Sequence, residues 1–437
     1  MIFLSDITNL HDFAKEIQGK WILVSRNPRD HSMIILTYSN KTQIMCHWQE
    51  NTTMIARGLV LHLSPKGIAM YDQIAESWEE TEIADIKAVL EDACVVARGM
   101  PKFFTINDDR KLVDDDEGIT VRESIDINPN SSVDVSDKLD GSLGIGVIMN
   151  DKMCICTKGS FDSPDALAGT EYLRTKHSSE IFSEFMKTYL HDYTPLFEII
   201  SPHESHLIQY KGVQDIVFLG LVNNGTGRWI PAAFLATDPE TADTPAKEIP
   251  SRFSFMIPDV YPISTLNEVF SLTDRANHEG VVLTVNEKNG RQKLFKYKYP
   301  TYLFRNYVRR NYPDKLIRSV ISDQMTAADL LKRKPVSSFI EIREENREIA
   351  GKIFEEIDQV AEEKYLKAIR AEAEEGVRLF CQIAANHDLL SGEGIKEFAK
   401  EVNQLDLDKN VKRIILDLKG VVGLAALNAV KMSVKNK

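Results

Sequence analysis

The feature that most constrains this fold is a series of short apolar segments along the first 300 residues. Polar breaks separate the segments, and several alternate apolar and polar residues as half-buried strands do. Helical patterns intervene only at residues 76–93, 164–190 and 265–276. Strands that follow one another without a helix each time favour antiparallel sheets, so we predict an α+β domain. The segments are WILVSR, SMIILTY, GLVLHL, LGIGVIM, MCICTK, DIVFLGLV, EGVVLTV and KLFKYKY.

The chain changes character after Pro300, where an amphipathic helical pattern replaces the short segments. Ile349, Ile353 and Ile357 lie on one stripe at helical spacing, with acidic residues opposite. Asp408 can cap a last helix. The predicted domains are an α+β domain over residues 1–300, with residues 1–50 as an N-terminal extension, and an all-α domain over 301–437.

Composition excludes several classes of protein. The chain has 437 residues, of which 43% are hydrophobic and 27% charged, as in globular proteins and unlike disordered or fibrous ones. No stretch approaches the roughly 20 apolar residues of a membrane span. Five cysteines in a chain this long do not make a disulfide framework. We therefore expect a monomeric cytoplasmic protein that does not bind membranes, located in the host cytoplasm if its source is a virus.

The net charge of −12 conceals a basic stretch at residues 291–334. This stretch carries twelve Lys or Arg against three Asp, and Tyr and Phe residues are interleaved with them. Such a pattern suits a surface that holds phosphates and stacked bases of a nucleic acid. It also suits a solvated helix face with buried aromatic residues, and both interpretations stay open.

A lysine stands directly before an Asp-Gly pair in the sequence KLDGSLGIGV. Asp-Gly is a strong hairpin signal, so we predict that Asp140 and Gly141 form a turn that presents Lys138. Lys-x-Asp-Gly alone is weak evidence, since residue frequencies produce it in roughly one chain in ten of this length. Its meaning depends on the charged residues that follow it.

Four charged residues occur within or beside later apolar strands. Glu198 lies in FEIISP, Glu279 opens EGVV, and Lys296 and Lys298 are two residues apart in KLFKYKY, on one face of a strand. An ionised group in a strand core needs a partner, so we expect these residues to meet. A lysine nucleophile, carboxylates that fix a ribose and hold Mg²⁺, and lysines that neutralise an α-phosphate would together transfer a nucleotidyl group covalently.

The order Lys-x-Asp-Gly, Phe-Glu, Glu-Gly-Val, Lys-x-Lys resembles the covalent nucleotidyltransferase superfamily of ATP-dependent DNA ligases, RNA ligases and mRNA capping enzymes. More narrowly, the chain resembles the phage RNA ligase 1 family over about residues 50–305. The resemblance implies that the α+β domain is an adenylyltransferase domain. The motifs are ARGLVL, MPKFFTIND, KLDGSL, TKGS, FEIISP, HEGVVLTV and KLFKYKYPTY.

The resemblance implies a role for each matching residue. Lys138 would take AMP from ATP as a phosphoramide while pyrophosphate leaves, and Asp140 and Gly141 would shape the loop around it. By the same resemblance, the phosphates would be contacted or oriented by Arg57, Lys102 and Lys158, and Phe104 would pack beside the nucleotide. Glu198 would bind the ribose, and Glu279 would bind the metal ion while Gly280 holds the close turn. The α-phosphate would be bound by Lys296 and Lys298, with support from Tyr302.

Three points stay open. The side chain against the adenine would come from the strand IVFLGLV, as Phe218, Leu219 or Leu221. His203 and His206 of SPHESH could begin a zinc site, but a loop near the substrate is the preferred interpretation, since no further ligands are evident. The first 50 residues match the family poorly, and no role is transferred to them.

The segment after the Lys-x-Lys strand separates the members of the superfamily. DNA ligases and capping enzymes resemble one another in attaching a small β-barrel there, whereas this chain switches to helices, as RNA ligase 1 proteins do. The resemblance therefore implies an ATP-dependent RNA ligase that joins 5′-phosphate and 3′-hydroxyl RNA ends through lysyl-AMP and an adenylylated RNA end.

The same resemblance implies ATP as AMP donor and Mg²⁺ as the metal ion, with Mn²⁺ able to substitute. It suggests a role in RNA repair, with a nicked tRNA as a candidate substrate and the helical domain choosing the RNA. That domain could equally be a packing module. Two other functions stay open: a different nucleotidyltransferase, either a DNA ligase or a capping guanylyltransferase, and a non-catalytic RNA-binding protein on the same fold.

Overall fold

A computed structural model provides the structure of the protein, and the chain divides into two compact units, residues 1–311 and 312–437. No helix among the described residues is long and apolar enough to cross a bilayer. The structure describes residues 2–74, 77–106, 112–114, 119–122, 133–201, 208, 210, 212–269, 271–272, 275, 277–286, 292–299 and 302, and in the second unit residues 379–380, 382–383, 386, 392–405, 407, 412 and 415–416.

Every apolar segment that predicted a strand forms one in the structure. The strands are β1 (Ile22–Arg26), β2 (Met33–Tyr38), β3 (Arg57–His62), β4 (Cys94–Arg98), β5 (Phe104–Ile106), β6 (Leu112–Asp114), β7 (Ile119–Arg122), β8 (Val133–Lys138), β9 (Ser142–Met149), β10 (Lys152–Cys156), β11 (Tyr193–Ile200), β12 (Asp215–Asn223), β13 (Trp229–Pro231), β14 (Gly280–Asn286) and β15 (Gln292–Lys298).

The helices agree only partly with the predicted ones. The pattern at residues 76–93 forms a helix from Ile83 only, and the helix at Pro65–Ile74 was not predicted, because Gly67 in its first turn weakens the helical pattern. The helices are α1 (Leu4–Ile7), α2 (Leu10–Gln18), α3 (Asn40–Ile44), α4 (Pro65–Ile74), α5 (Ile83–Leu90), α6 (Pro164–Lys176), α7 (Ser179–Tyr189), α8 (Ile249–Arg252), α9 (Leu266–Val269) and α10 (Gly392–Gln404).

Residues before position 50 form part of the first sheet. Its order is β1-β2-β3-β4, with every pair antiparallel. Helix α2 begins at a cap in which the Asn9 side chain accepts hydrogen bonds from the backbone N–H groups of His11 and Asp12. Its buried residues Phe13 and Ile17 join the core on this sheet. The N-terminal segment is therefore integrated with residues that lie within the family resemblance.

The second sheet has the order β10-β9-β11-β12-β13 and is antiparallel throughout. One face packs on α7 through a group of aromatic rings, in which Phe182 lies 4.8 Å from Phe253 between ring centroids, edge to face. The other face shares a core with the first sheet that includes Ile35, Val60 and Ile145. This second sheet positions Glu198, on β11, below the loop that follows Lys138.

The third sheet has the order β7-β6-β5-β15-β14-β8. Its pairs are antiparallel except β5 with β15, which is parallel. Phe295, Tyr297 and Tyr299 pack on one face with α9, whereas Leu294 joins a cluster with Leu143 of the second sheet. The α+β class with antiparallel sheets is thus confirmed, with one parallel pair.

The second unit is described only in part. Helix α10 contributes Phe398 and Val402 to a small core with Phe380, Ile383 and Ile415. Most of the amphipathic pattern and most of the basic stretch at 291–334 lie outside the described residues. The all-α domain over 301–437 stays a prediction.

The hairpin predicted at Asp140-Gly141 is wrong. β8 ends at Lys138 and pairs with β14 in the third sheet, whereas β9 begins at Ser142 and pairs with β10 and β11 in the second. The Asp-Gly pair therefore connects two sheets. Local turn propensity correctly indicated a sharp change of direction, but it could not specify which strand each neighbour would pair with.

Candidate active site

Lys138, Glu279 and Lys298 form a buried ion triad where three strands end side by side. In the third sheet Gly280 lies opposite both Lys138 and Lys298, so the preceding Glu279 falls between the two lysines. Its Oε2 accepts a hydrogen bond from Lys138 Nζ at 2.7 Å, and its Oε1 lies 3.0 Å from Lys298 Nζ. The side chains of Glu279 and Lys298 are 3% and 8% exposed, and that of Lys138 is 20% exposed. Lys138 is thus the most accessible member of the triad.

Gly280 is required by the close approach of two strands. A Cβ atom there would lie 2.1 Å from the backbone oxygen of Tyr297 and 2.7 Å from Lys298 Cα. Both atoms belong to the backbone and cannot move aside. The absence of a side chain lets β14 approach β15 closely, which brings Glu279 within reach of Lys298.

Glu198 reaches the loop after Lys138 from the second sheet. Its Oε1 accepts a hydrogen bond from Gly141 N at 2.8 Å. Burial raises the pKa of Glu198 to about 7, and the Lys138 ammonium opposes that shift. A carboxyl group next to Lys138 with a pKa near neutrality is typical of a functional site.

Asp140 is held by contacts from three other residues. Its Oδ1 accepts from Tyr302 Oη at 3.0 Å, and its Oδ2 accepts from Ile208 N at 3.1 Å. Its own N–H donates to Tyr210 Oη at 2.7 Å. Tyr302, which was predicted to support Lys296 and Lys298, thus binds Asp140 of the loop after Lys138. Tyr210 was missed, and the polar segment HLIQYKG gave no periodic signal that could single it out.

Two predicted phosphate-binding cations share one aromatic ring. The Arg57 guanidinium carbon lies 5.6 Å from the Phe103 ring centroid, and Lys296 Nζ lies 5.7 Å from the same centroid. Arg57 also donates to the carbonyl of Met100 at 3.2 Å. The ring brings a cation of the first sheet next to one of the third.

Lys102 and Lys158, two further predicted phosphate contacts, share a second ring. Lys102 Nζ and Lys158 Nζ lie 5.5 and 5.2 Å from the Tyr38 ring centroid. Lys102 is also 4.6 Å from the ring of Trp48 and 5.4 Å from that of Phe104. Tyr38 and Trp48 lie in the segment to which the sequence assigned no role. Nothing in the sequence distinguishes these two aromatic residues from the others in that segment.

The structure separates the three candidates for the adenine contact. Phe218 and Leu221 are fully buried among the aromatic rings beneath the second sheet. Leu219 lies at an irregularity in the pairing of β11 with β12, is partly exposed, and packs in the cluster that contains Leu143 and Leu294. Leu219 alone of the three is therefore on the side of the third sheet.

A second network lies directly behind the triad. The side chain of Asp137 accepts a hydrogen bond from Tyr261 Oη, and Tyr261 Oη accepts one from Arg275. His278 Nε2 lies 3.7 Å from Asp137. Asp137 and His278 are the residues immediately before Lys138 and Glu279, so the network fixes the two strand ends that carry the triad.

The carboxylates that could hold a divalent ion are few. Among the described residues no group of three His, Cys, Asp or Glu side chains comes together, and His203 and His206 lie outside them. Glu279 is a buried carboxylate beside Lys138. Mg²⁺ commonly takes one or two protein carboxylates and completes its shell with phosphate oxygens and water. The residues present therefore fit a metal ion shared with a nucleotide.

Comparison with solved structures found distant likenesses, and comparison with curated protein sequences gave no match. An archaeal ATP-dependent RNA ligase is 14% identical over 91% of this chain and 92% of that chain, with a TM-score of 0.44. A Naegleria gruberi RNA ligase mutant solved with ATP and Mn is 17% identical over 42% of this chain, with a TM-score of 0.32. This chain spans about half, 53%, of that Naegleria protein.

Comparison with models of protein families gave a match that spans the predicted site residues. A family model described as RNA ligase matches residues 55–303, which is more than half of the chain. The matched region contains Lys138 and Glu198 together with Glu279 and both lysines of the Lys-x-Lys strand. The chain therefore belongs to the phage-type RNA ligase family.

Proposed function

We propose that this RNA ligase works through a covalent adenylate on Lys138 and joins 5′-phosphate to 3′-hydroxyl RNA ends. The observation that carries the proposal is the triad of Lys138, Glu279 and Lys298 at one edge of the third sheet, where the ends of β8, β14 and β15 meet. It combines an accessible lysine, a carboxylate that accepts its proton in a hydrogen bond, and a second lysine beside them. These are the groups that a lysine nucleophile needs for attack on a phosphate.

In the first step Lys138 Nζ attacks the α-phosphorus of ATP. A nitrogen–phosphorus bond forms, and the bond from the α-phosphorus to the oxygen of the leaving pyrophosphate breaks. Lys138 must first lose a proton and leave its ion pair with Glu279, because an ammonium has no lone pair for attack. Lys296 and Lys298 remain on the same strand face to stabilise charge on the α-phosphate.

The nucleoside part of ATP would lie against the second sheet. Glu198 would accept hydrogen bonds from the ribose hydroxyl groups, and its link to Gly141 N ties the ribose position to the nucleophile loop. Leu219 would contact the adenine, because it is the candidate on the side of the third sheet, which carries Lys138. Holding both ends of the nucleoside fixes the α-phosphate for in-line attack.

A divalent ion is part of the proposed reaction. Glu279 would supply one carboxylate oxygen to Mg²⁺ or Mn²⁺, and the ion would neutralise charge on the phosphates when bound. Lys138 and Lys298 would both have to loosen their contacts with Glu279 for this. Competition between the lysines and the ion would help to release Lys138 from its ion pair.

Two further transfers complete the proposed cycle. The AMP on Lys138 passes to the 5′-phosphate of an RNA end, and a 3′-hydroxyl then attacks that end and releases AMP. Positioning and charge stabilisation supply most of the catalysis in such phosphoryl transfers. We propose a monomeric enzyme of RNA repair, with a nicked tRNA as the substrate to test first.

The test is transfer of a label from ATP labelled at the α-phosphate. We expect wild-type protein to become labelled in the presence of Mg²⁺ and Lys138→Ala to stay unlabelled, since the variant lacks the attacking nitrogen. GTP labelled in the same position serves as the control for nucleotide choice. Label from GTP alone would indicate a guanylyltransferase, and no label on the wild type with either nucleotide would overturn the proposal.

A further inference from the structure

We propose that Tyr210 is a positioning residue for the first reaction step, because its hydroxyl oxygen orients the peptide group that contacts the attacking nitrogen of Lys138. The inference rests on the proposed function and adds to it a residue without a predicted role. Tyr210 lies between β11 and β12 and is half-buried. Its Oη accepts a hydrogen bond from Asp140 N at 2.7 Å.

The hydrogen bond from Asp140 N fixes the direction of the carbonyl group in the same peptide. That carbonyl belongs to Leu139, and Lys138 Nζ donates a hydrogen bond to its oxygen at 3.4 Å. A trans peptide group is planar, and its N–H and C=O bonds point in opposite directions. The peptide group between Leu139 and Asp140 is therefore held at both ends, by Tyr210 at its N–H and by Lys138 at its carbonyl oxygen.

The Leu139 carbonyl matters once Lys138 has left its ion pair. The ammonium has two described acceptors, Glu279 Oε2 at 2.7 Å and the Leu139 oxygen. After one proton has passed to water, the nitrogen keeps two hydrogens and a lone pair. A hydrogen bond from one of these hydrogens to the Leu139 oxygen limits the directions in which the lone pair can point. Such a constraint favours attack, because less orientational freedom is lost on the way to the transition state.

The positioning role leaves the balance of the chemical step unchanged. The lone pair forms the nitrogen–phosphorus bond, and the electrons of the broken phosphorus–oxygen bond leave with pyrophosphate. The nitrogen then gives a second proton to water and keeps its last hydrogen in the phosphoramide. Tyr210 exchanges no proton and forms no covalent bond in this sequence of events.

The hydroxyl group of Tyr210 is unsuited to act as the base that takes a proton from Lys138. Burial raises the pKa of Tyr210, and the carboxylates of Glu198, Asp140 and Glu279 raise it further, although the hydrogen bond from the backbone opposes the shift. The phenol therefore keeps its proton at neutral pH. Its oxygen then serves the loop after Lys138 as a hydrogen-bond acceptor.

A tight turn places Tyr210 shortly before β12. Val213 N donates to the Tyr210 carbonyl at 3.0 Å, and Gly212 has a φ of +81°. A φ of about +80° at the third residue is characteristic of a type II turn, and glycine adopts it without strain. Beyond the turn, Asp215 Oδ1 lies 2.9 Å from Nε2 of the buried His177, which follows α6. The turn is thereby tied to the end of that helix.

The segment that carries Tyr210 also holds the side chain of Asp140. Ile208 N donates to Asp140 Oδ2 at 3.1 Å, so one segment binds both the backbone and the side chain of this residue. At the next position, Gly141 N donates to Glu198 Oε1. Two successive N–H groups of the loop are therefore fixed by side chains. Tyr210 acts on the peptide whose carbonyl contacts Lys138.

The experiment compares Tyr210→Phe with wild type in two assays, because phenylalanine keeps the ring and lacks the acceptor oxygen. We expect the rate constant for Lys138 labelling at saturating ATP to fall roughly 5- to 50-fold, the scale of a lost hydrogen bond that leaves its donor unpaired. The ATP concentration that gives half of this rate should stay within about twofold, because Tyr210 acts on Lys138 and not on ATP. Joining of RNA that already carries a 5′-adenylate should also stay within about twofold, since Lys138 attacks nothing in that step.

Tyr193→Phe is the matched control for this substitution. Tyr193 is also half-buried, and its Oη donates to Glu240 Oε2 at 3.1 Å, at the start of β11. This variant should leave both assays unchanged. An unchanged rate of labelling in Tyr210→Phe would overturn the inference. An equal loss in the joining assay, or an equal loss of labelling in Tyr193→Phe, would do the same.

Hydrogen exchange measured by mass spectrometry tests the contact without catalysis. Peptide fragments that span residues 138–142 should exchange faster in Tyr210→Phe than in wild type, because Asp140 N loses its acceptor. Equal exchange in a wild type that becomes labelled would overturn only the role of Tyr210. A wild type that never becomes labelled would instead overturn the proposed function.

Discussion

The carboxyl group of Glu198 is buried, and burial disfavours its charged form. Burial raises its pKa from an ordinary 4.5 to about 7, so between these values the folded protein holds a proton that the unfolded chain has released. The free energy of unfolding must then fall as pH rises through this interval, by on the order of 3 kcal/mol, with the loss complete above pH 7. Below pH 4.5 the contribution of protonated Glu198 to the free energy of unfolding is fully present.

Glu198→Gln tests this expectation, because the amide keeps the shape of the side chain and does not titrate. We expect the variant to gain stability relative to wild type as pH rises from 5 to 8. Urea unfolding midpoints of both proteins at matched ionic strength measure the difference. Parallel curves for the two proteins would show that Glu198 titrates as an exposed carboxyl group does.

At the scale of elements, the ends of β8, β14 and β15 bring the three charged residues of the triad together. The hydrogen-bonded network around Asp137 lies behind these strand ends. Tyr261 donates to buried Asp137, which immediately precedes Lys138. Tyr261→Phe removes that donor and leaves a buried carboxylate with fewer partners. We expect a stability loss of about 1–3 kcal/mol and slower labelling of Lys138, since the strand end would shift.

Tyr193→Phe is the control for this substitution. Tyr193 Oη donates to Glu240 Oε2 at 3.1 Å, at the start of β11 and far along that strand from Glu198. Its loss should lower the unfolding midpoint without lowering the labelling rate per folded molecule. If both variants slow labelling alike, the network behind the triad has no special part in positioning Lys138.

At the scale of the whole molecule, the residues of the proposed nucleotide site belong to the first unit, residues 1–311. Removal of residues 312–437 should therefore leave Mg²⁺-dependent labelling of Lys138 intact. Joining of a nicked tRNA should fall more than joining of a plain oligonucleotide, because we predict that the second unit contributes to the choice of RNA. Equal losses on the two substrates would argue against a role in specificity.

Periodicity and charge in the sequence determined the strands of this protein and several contacts of its candidate site. Alternation along a strand depends only on backbone geometry, so the strands, and the shared face of Lys296 and Lys298, could be predicted locally. Ionised residues in apolar strands must find partners when buried, which predicted that Lys138 and Glu279 would meet. Both expectations follow from physics that acts within one segment or on one buried charge.

Only the tertiary structure decided how those segments pair. Asp140-Gly141 connects two sheets and not two strands of a hairpin, and the ring of Trp48 reaches Lys102 from a segment with no recognised motif. The placement of Leu219 and Phe218 on different sides of the second sheet likewise depends on an irregularity in the pairing of β11 with β12. Local sequence sets which way a chain turns and which residues share a face, but strand partners and ring contacts arise from packing between segments far apart in the chain.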